Sequence, residues 1–200
     1  MKTPLLLTFV LLNLVAFGQN KNKKIKNVNT LDQANVFIKD NPTLGAEIIR
    51  MNTGLDTSEL AKKVFADSTR KPFTYEGYTY KVVETQKTFL MRVSYIYLDG
   101  SKLSIHQIDS LRAIIIAKYR SGTSFPDLAK QYNMDGNISG DFGWVQEEYL
   151  VTDFVAAVKK HTTGEIFPID IPAKQWYYVT LKTFEEREVY TYSVLKIKNN

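Results

Sequence analysis

Apolar side chains recur at intervals of three and four residues in five stretches of this chain, and this spacing predicts five helices. The longest has Ile108, Leu111, Ile115 and Tyr119 along one stripe. The others begin at residue types that commonly cap a helix. The predicted helices cover residues 30–39, residues from Asp56 or Thr57 to 65, residues 105–120 and 124–132, and residues from Thr152 or Asp153 to near Gly164.

Alternating apolar and polar positions predict strands at residues 73–84, 89–98, 176–183 and 189–197. Glu76-Gly77 forms a turn near the start of the first strand, and Asp99-Gly100 turns the chain after the second. Residues 167–170 are short and extended, and Pro168 suits a sheet edge. Residues 46–49 fit either a strand or a short helix, because their periodicity favours neither.

The composition, 44% apolar and 24% charged, is typical of a globular protein with one or two small domains. The net charge of +5 comes largely from residues 21–26, within a lysine-rich leader at 19–29. We expect this leader to be loosely held, and without interleaved aromatic residues it does not indicate a nucleic-acid site. The absence of cysteine excludes disulfides, thiol catalysis and cysteine-based zinc sites. The two histidines, His106 and His161, are interpreted as surface residues, so no metal site is predicted.

The first eighteen residues are interpreted as a secretory signal peptide. Lys2 supplies the positive charge, and residues 5–15 form an apolar run that is short for a membrane span. Ala16 and Gly18 are the small residues that a signal peptidase requires. We therefore expect cleavage after Gly18 and export to the periplasm or beyond, while an uncleaved anchor is the alternative.

A stretch with two bracketing glycines, SGDFGW at residues 139–144, follows the predicted helix SFPDLAKQY. Together with the next helix and a Gly-Glu turn, it resembles the parvulin family of peptidyl-prolyl cis–trans isomerases, over residues 92–182. Phe142 stands where the family usually has leucine, and Ser139 replaces a glycine. The matching positions are Gly122, Phe125, Leu128, Ala129, Tyr132, Asp135, Gly140, Asp141, Gly143, Trp144, Leu150, Phe154, Ala157, Gly164 and Glu165.

The resemblance implies an α+β fold in which helices flank a sheet of roughly four strands. It also implies that no cofactor is required. Residues 60–82 faintly echo 154–180. This echo fits either half of a parvulin-like unit or a chance helix–strand pair, and we interpret the region as an accessory arm. The expected organisation is a signal peptide at 1–18, the leader at 19–29, an accessory helix and strand segment at 30–90, a parvulin-like domain at 91–184, and a C-terminal strand or tail at 185–200.

The resemblance also implies which side chains form the site. Phe142, Leu150 and Phe154 would line a substrate pocket for proline, and we expect Leu150 and Phe154 to be partly exposed there. Spacing alone would instead place these last two in the core. Asp135 occupies the position of the family's acidic or cysteine residue, although on its own it would be interpreted as a turn residue.

Two family histidines are replaced by tyrosine in this chain, Tyr95 and Tyr178. They are the remaining catalytic candidates, and their alternation predicts that they face each other on adjacent strands, near Asp135. The predicted function is isomerisation of Xaa-Pro bonds in unfolded or exported polypeptides. The alternative is a parvulin-fold chaperone or binding adaptor of the cell envelope with little turnover, because a phenol cannot reproduce an imidazole that titrates near neutral pH.

Overall fold

The computed structural model describes residues 25–199, so the predicted signal peptide and its cleavage point lie outside the described residues. The chain divides into two compact units. Among the described residues, one comprises 25–87 with 189–199, and the other comprises Thr88–Glu188. No helix within residues 25–199 combines the length and apolar character needed to cross a membrane.

In the first unit, helices and strands alternate along the chain before the C-terminal strand joins them. Thr30 begins the first helix by accepting a hydrogen bond from the Gln33 amide. Of residues 46–49, left open by their periodicity, residues 47–49 belong to a strand. The elements are α1 (Leu31–Asp40), β1 (Glu47–Asn52), α2 (Glu59–Ala66), β2 (Phe73–Tyr75), the start of β3 (Tyr78–Met91) and β8 (Arg187–Lys198). The strand order is β1-β8-β3-β2, which makes the C-terminal segment an interior strand.

The prediction that residues 19–29 are loosely held is wrong for residues 25–29. Ile25 and Val28 are buried in a cluster with α1, β3 and β8. The buried Lys81 ammonium donates to the Lys26 carbonyl at 2.6 Å and to the Asn29 side chain at 2.8 Å. Two apolar residues among lysines and asparagines are therefore enough to fix this segment once a partner surface exists.

The predicted cap of α2 is also wrong, because Ser58 caps this helix and accepts from the Ala61 amide. Asp56 is used elsewhere, since its carboxylate accepts from the Asn52 amide at 2.5 Å.

The second unit confirms the α+β class. Its elements are the end of β3, β4 (Val93–Asp99), α3 (Ile105–Arg120), α4 (Phe125–Tyr132), β5 (Val145–Gln146), α5 (Thr152–Val158), β6 (Ile166–Ile171) and β7 (Trp176–Lys182). An antiparallel sheet has the order β4-β7-β6. The roughly four strands expected correspond to these three and a single bridge between Ser94 and Asp141 beside β4. Gly140 and Gly143 flank that bridge with positive φ, which keeps this segment from continuing as a strand.

The predicted strand at residues 89–98 is divided at Arg92. Residues before it belong to the end of β3, where Leu90 and Met91 pair with β5, and residues after it form β4.

The sheet of the second unit is covered on both faces. Ile96, Leu98 and Val179 point to the face packed by α3 and α4. Val93, Tyr178 and Phe167 belong to the opposite face, packed by α5. The period of two along each strand separates the two sets of side chains. The candidate site lies on the α5 face.

Candidate functional site

An open pocket of about 380 Å³ lies on the α5 face of the sheet. All six residues predicted from the sequence line it, and five further residues were not predicted. The lining comprises Tyr95, Asp135, Phe142, Val145, Tyr149, Leu150, Val151, Phe154, Ile171, Trp176 and Tyr178. The walls are therefore aliphatic and aromatic, with one carboxylate.

One wall of the pocket is formed by α5 and the residues just before it. Phe154 projects from the first turn of the helix, and its ring lies 5.3 Å from that of Tyr178 and 6.3 Å from that of Phe142. Phe154 is only 6% exposed, so the expectation that it is partly exposed is wrong, because these rings cover it. Leu150 is half-buried, as expected. The helix begins after Val151 without a side-chain cap, so the predicted caps Thr152 and Asp153 are wrong.

The two tyrosines at the histidine positions come together as predicted. In the β4–β7 register Tyr95 lies opposite Thr180, and Tyr178 lies opposite Tyr97, which places both tyrosines on one face. Their rings meet edge to face with centroids 6.0 Å apart. The Tyr95 hydroxyl donates to the Asp135 carboxylate over 2.7 Å, which joins the sheet to the loop after α4.

Both tyrosines remain neutral hydroxyls over the physiological pH range. Burial raises the pKa of Tyr95, and its hydrogen bond to the Asp135 carboxylate raises it further. Burial also raises the pKa of Tyr178 well above its ordinary value, with nearby Tyr97 and Tyr95 adding to the effect. These side chains can exchange hydrogen bonds with a substrate, but they do not carry charge near neutral pH.

The Asp135 loop is held by its own asparagines. The Asn137 amide donates to the second Asp135 oxygen at 2.9 Å. The Asn137 side chain reaches the Tyr95 hydroxyl at 3.4 Å and the Asp141 carbonyl at 3.3 Å. Asn133 donates in turn to the Asn137 carbonyl at 2.8 Å. The position of the exposed Asp135 is thus fixed although it lies in a loop.

Arg92 and Asp141 fix the segment that carries Phe142, although the sequence did not predict a role for Arg92. Its Nε lies 3.2 Å from each Asp141 oxygen and its Nη2 lies 2.5 Å from one of them. The Gly143 amide also donates to the Asp141 carboxylate, at 2.9 Å from Oδ1. The hydrogen bond from Arg92 lowers the pKa of Asp141 below its ordinary value. Phe142 lies between Asp141 and Gly143, and its ring centroid is 5.7 Å from that of Tyr95.

The histidines lie apart from the pocket. His106 is exposed on α3, and the His161 ring stacks on Phe167 at 3.6 Å while its Nδ1 contacts the Glu165 carboxylate at 2.8 Å. Within residues 25–199 there is no group of three or more His, Cys, Asp or Glu side chains that could hold a metal ion. The pocket chemistry therefore rests on apolar walls, neutral hydroxyls and the Asp135 carboxylate.

Comparison with solved structures finds matches of low sequence identity. A crystal structure of a PpiC-type peptidyl-prolyl cis-trans isomerase domain is 21% identical, covering 50% of this chain and 94% of that one, with a TM-score of 0.43. The parvulin domain of PpiD from E. coli is 14% identical, with coverages of 50% and 90% and a TM-score of 0.38. The peptidylprolyl isomerase PrsA from Bacillus anthracis is 19% identical, with coverages of 82% and 68% and a TM-score of 0.38. A comparison with curated protein sequences finds no match.

The family assignment comes from a sequence-family comparison. The family described as the PPIC-type PPIase domain matches residues 78–179 of the 200-residue chain. This range includes the sheet positions of Tyr95 and Tyr178, the Asp135 loop and the α5 wall. Because the match extends over just over half of the chain, the protein belongs to the PPIC-type, or parvulin, family of peptidyl-prolyl cis–trans isomerases.

Proposed function

We propose that the pocket binds the ring of a proline and accelerates rotation about the preceding Xaa-Pro bond. The observation that supports this most is the composition of the pocket, in which Phe142, Leu150 and Phe154 form apolar walls beside one tyrosine–carboxylate pair. A proline ring is apolar and has no N–H to satisfy, so a slot with few polar groups suits it.

The reaction requires geometry and environment rather than bond cleavage. The barrier of about 18–20 kcal/mol is largely the amide resonance lost as the C–N bond twists. A dry apolar pocket favours the less polar twisted form over the planar amide. The Tyr95 proton is committed to Asp135, so these two residues would orient the polar edge of the site. The half-buried Tyr178 hydroxyl, which donates to no residue within 25–199, would donate to the rotating amide.

The test is NMR exchange spectroscopy on short Xaa-Pro peptides with catalytic amounts of the protein. We expect faster cis–trans exchange whose rate stays nearly constant from about pH 6 to about pH 9, because the raised pKa values keep Tyr95 and Tyr178 neutral throughout. Tyr178→Phe should lower the exchange rate more than the peptide affinity, since the hydroxyl would act on the twisted state. An exchange rate equal to that of the free peptide at every pH would disprove catalysis.

The second candidate function is binding without turnover, as a chaperone or adaptor. The observation that favours it is the replacement of both family histidines by Tyr95 and Tyr178, which removes any group of the imidazole type from the pocket. The same experiment separates the two functions. Chemical-shift changes of pocket residues on peptide addition, without faster exchange, would support the binding function.

We also propose that the protein is exported and that its substrates are exported polypeptides. Support comes from the sequence of residues 1–18, with Lys2 before an apolar run and small residues at Ala16 and Gly18. Mass spectrometry of the protein purified from the cell envelope should give an N-terminus at Gln19. Recovery of the intact chain beginning at Met1 would show that the leader is retained.

A further inference from the structure

The pocket carries a negative charge that would act on a bound substrate. Of the eleven lining residues Asp135 is the only acid, and none is lysine, arginine or histidine. Tyr95 and Tyr178 add no further negative charge, because their raised pKa values keep both as neutral hydroxyls near pH 7. The pocket therefore presents one negative charge to a peptide bound in it.

That charge is fixed in position and is not neutralised by the protein. Its two hydrogen-bond donors, the Tyr95 hydroxyl at 2.7 Å and the Asn137 amide at 2.9 Å, are both neutral. Three cations of the second unit are used by other carboxylates. Arg92 pairs with Asp141, Lys102 with Asp99, and Lys159 with Glu147. No lysine or arginine within residues 25–199 forms an ion pair with Asp135, so its charge remains available to a ligand.

The aromatic residues around the pocket favour a cation as well. A positive charge is attracted to the face of an aromatic ring, most strongly to that of tryptophan. The Trp176 ring of the lining is already taken by the Lys174 ammonium, which lies 4.9 Å from its centroid, so it offers no free face to a ligand. Tyr149, which is 67% exposed, offers its ring to a side chain that enters the pocket.

The Asp135 carboxylate lies within reach of the residue next to a bound proline. A proline ring held by Phe142 would be next to Tyr95, whose ring centroid lies 5.7 Å from that of Phe142 and whose hydroxyl contacts Asp135. Successive Cα atoms along a peptide are about 3.8 Å apart. A long side chain on the residue before proline therefore spans the remaining distance.

We propose that this site selects prolines preceded by a positively charged residue, lysine or arginine, and disfavours an acidic or phosphorylated residue at that position. The proposal rests on the proposed function, since it takes the pocket to be the proline site. An arginine or lysine would gain the attraction of the Asp135 charge and of the exposed Tyr149 ring. A glutamate or phosphoserine would bring a second negative charge beside Asp135 and find no cation in the lining.

The experiment measures affinity rather than turnover, so it does not depend on catalysis. Peptides Ala-Xaa-Pro-Ala, blocked at both ends and with Xaa as Arg, Leu, Glu or phosphoserine, are titrated into the protein and followed by NMR chemical shifts. We expect the Arg peptide to bind roughly five- to tenfold more tightly than the Glu peptide, with the Leu peptide between them and phosphoserine weakest. Raising NaCl from about 0.02 M to about 0.5 M should reduce this ratio, because salt screens exposed charges.

Two variants locate the effect. Asp135→Asn should bring the Arg-to-Glu ratio close to one, whatever it does to overall affinity. Asp109→Asn is the matched control, since it removes the same charge from an exposed position on α3, which packs on the opposite face of the sheet. It should leave the ratio unchanged.

The outcomes separate this proposal from the one on which it rests. Binding of all four peptides with equal affinity would overturn the charge selection and leave the proline site standing. If Asp135→Asn and Asp109→Asn reduce the Arg-to-Glu affinity ratio equally, the proposal is also overturned. The preference would then come from the net charge of the protein and not from Asp135. Binding of no peptide at any salt concentration would overturn the proline site and the selection together.

Discussion

Replacing Gly140 by alanine should destabilise the protein by about 3 kcal/mol, from a left-handed backbone and a steric overlap that add together. Gly140 has a φ of +70°, and a Cβ built there would lie 2.8 Å from the Ala129 Cβ and 2.9 Å from the Tyr95 carbonyl oxygen. The second contact involves backbone, which cannot turn away as a side chain can. Urea unfolding of the purified variant measures the loss.

The control for this change is Gly143→Ala, at a glycine of similar conformation in the same segment. Gly143 has a φ of +72°, and no atom lies within 4 Å of an added Cβ. Its replacement should therefore cost only the conformational part, about 1 kcal/mol. Equal destabilisation by the two variants would show that the close approach at Gly140 contributes nothing.

Gly140→Ala should also weaken peptide binding, because Gly140 positions the site. Its carbonyl accepts the Tyr95 amide at 2.8 Å, which aligns the 140–143 segment beside β4. Moving that segment away from β4 would separate the Tyr95 hydroxyl from Asp135 and displace Phe142. Loss of the Tyr95 contact can be followed in the NMR spectrum of the folded variant at low temperature.

Local periodicity is sufficient for elements whose packing surface is a single stripe or face. The prediction for α3, residues 105–120, coincides with the observed Ile105–Arg120, because the stripe and the turn after it are both encoded locally. The strand at Trp176–Lys182 was predicted to within one residue for the same reason. Such elements can be predicted without knowing which elements they pack against.

Contacts between distant parts of the chain could not be predicted in this way. Arg112 lies on the buried side of α3 and is 8% exposed, since its guanidinium donates to the Ile169 carbonyl at 2.8 Å, pairs with Asp170 and lies over the Tyr177 ring. Arg92 likewise acquires its role only when Asp141 is brought beside it. A charged residue is assigned to solvent by any periodicity argument, unless its partner is known.

The site shows the same division between local and distant information. The resemblance to the parvulins indicated six residues, and all six line one pocket. Ile171, Val145 and Tyr149 were missed because alternation gives the face of a strand, whereas a concave surface depends on which elements meet above that face. The burial of Phe154 was missed for a related reason, since the rings of Phe142 and Tyr178 that cover it come from other parts of the chain.

Truncating the two apolar walls of the pocket should separate the stability of the fold from substrate binding. Leu150 is half-buried, so Leu150→Ala should cost about 1–2 kcal/mol of stability. Phe154 is 6% exposed and packs in the core of the α5 face, so Phe154→Ala should cost about 3–5 kcal/mol. Both should weaken binding of a Xaa-Pro peptide by about tenfold or more, since the proline ring loses a wall of its slot.

The informative comparison is therefore Leu150→Ala with Leu111→Ala. Leu111 is also partly buried, but it lies on α3, which packs on the opposite face of the sheet. The two changes remove the same atoms and should cost similar stability by urea unfolding, whereas only Leu150→Ala should weaken peptide binding. If the two variants lose affinity equally, the loss follows from destabilisation, and Leu150 does not contact the substrate. If Leu150→Ala binds normally while Phe154→Ala does not, the ring lies deeper in the pocket, against Phe154 and Tyr178, and Leu150 forms only its edge.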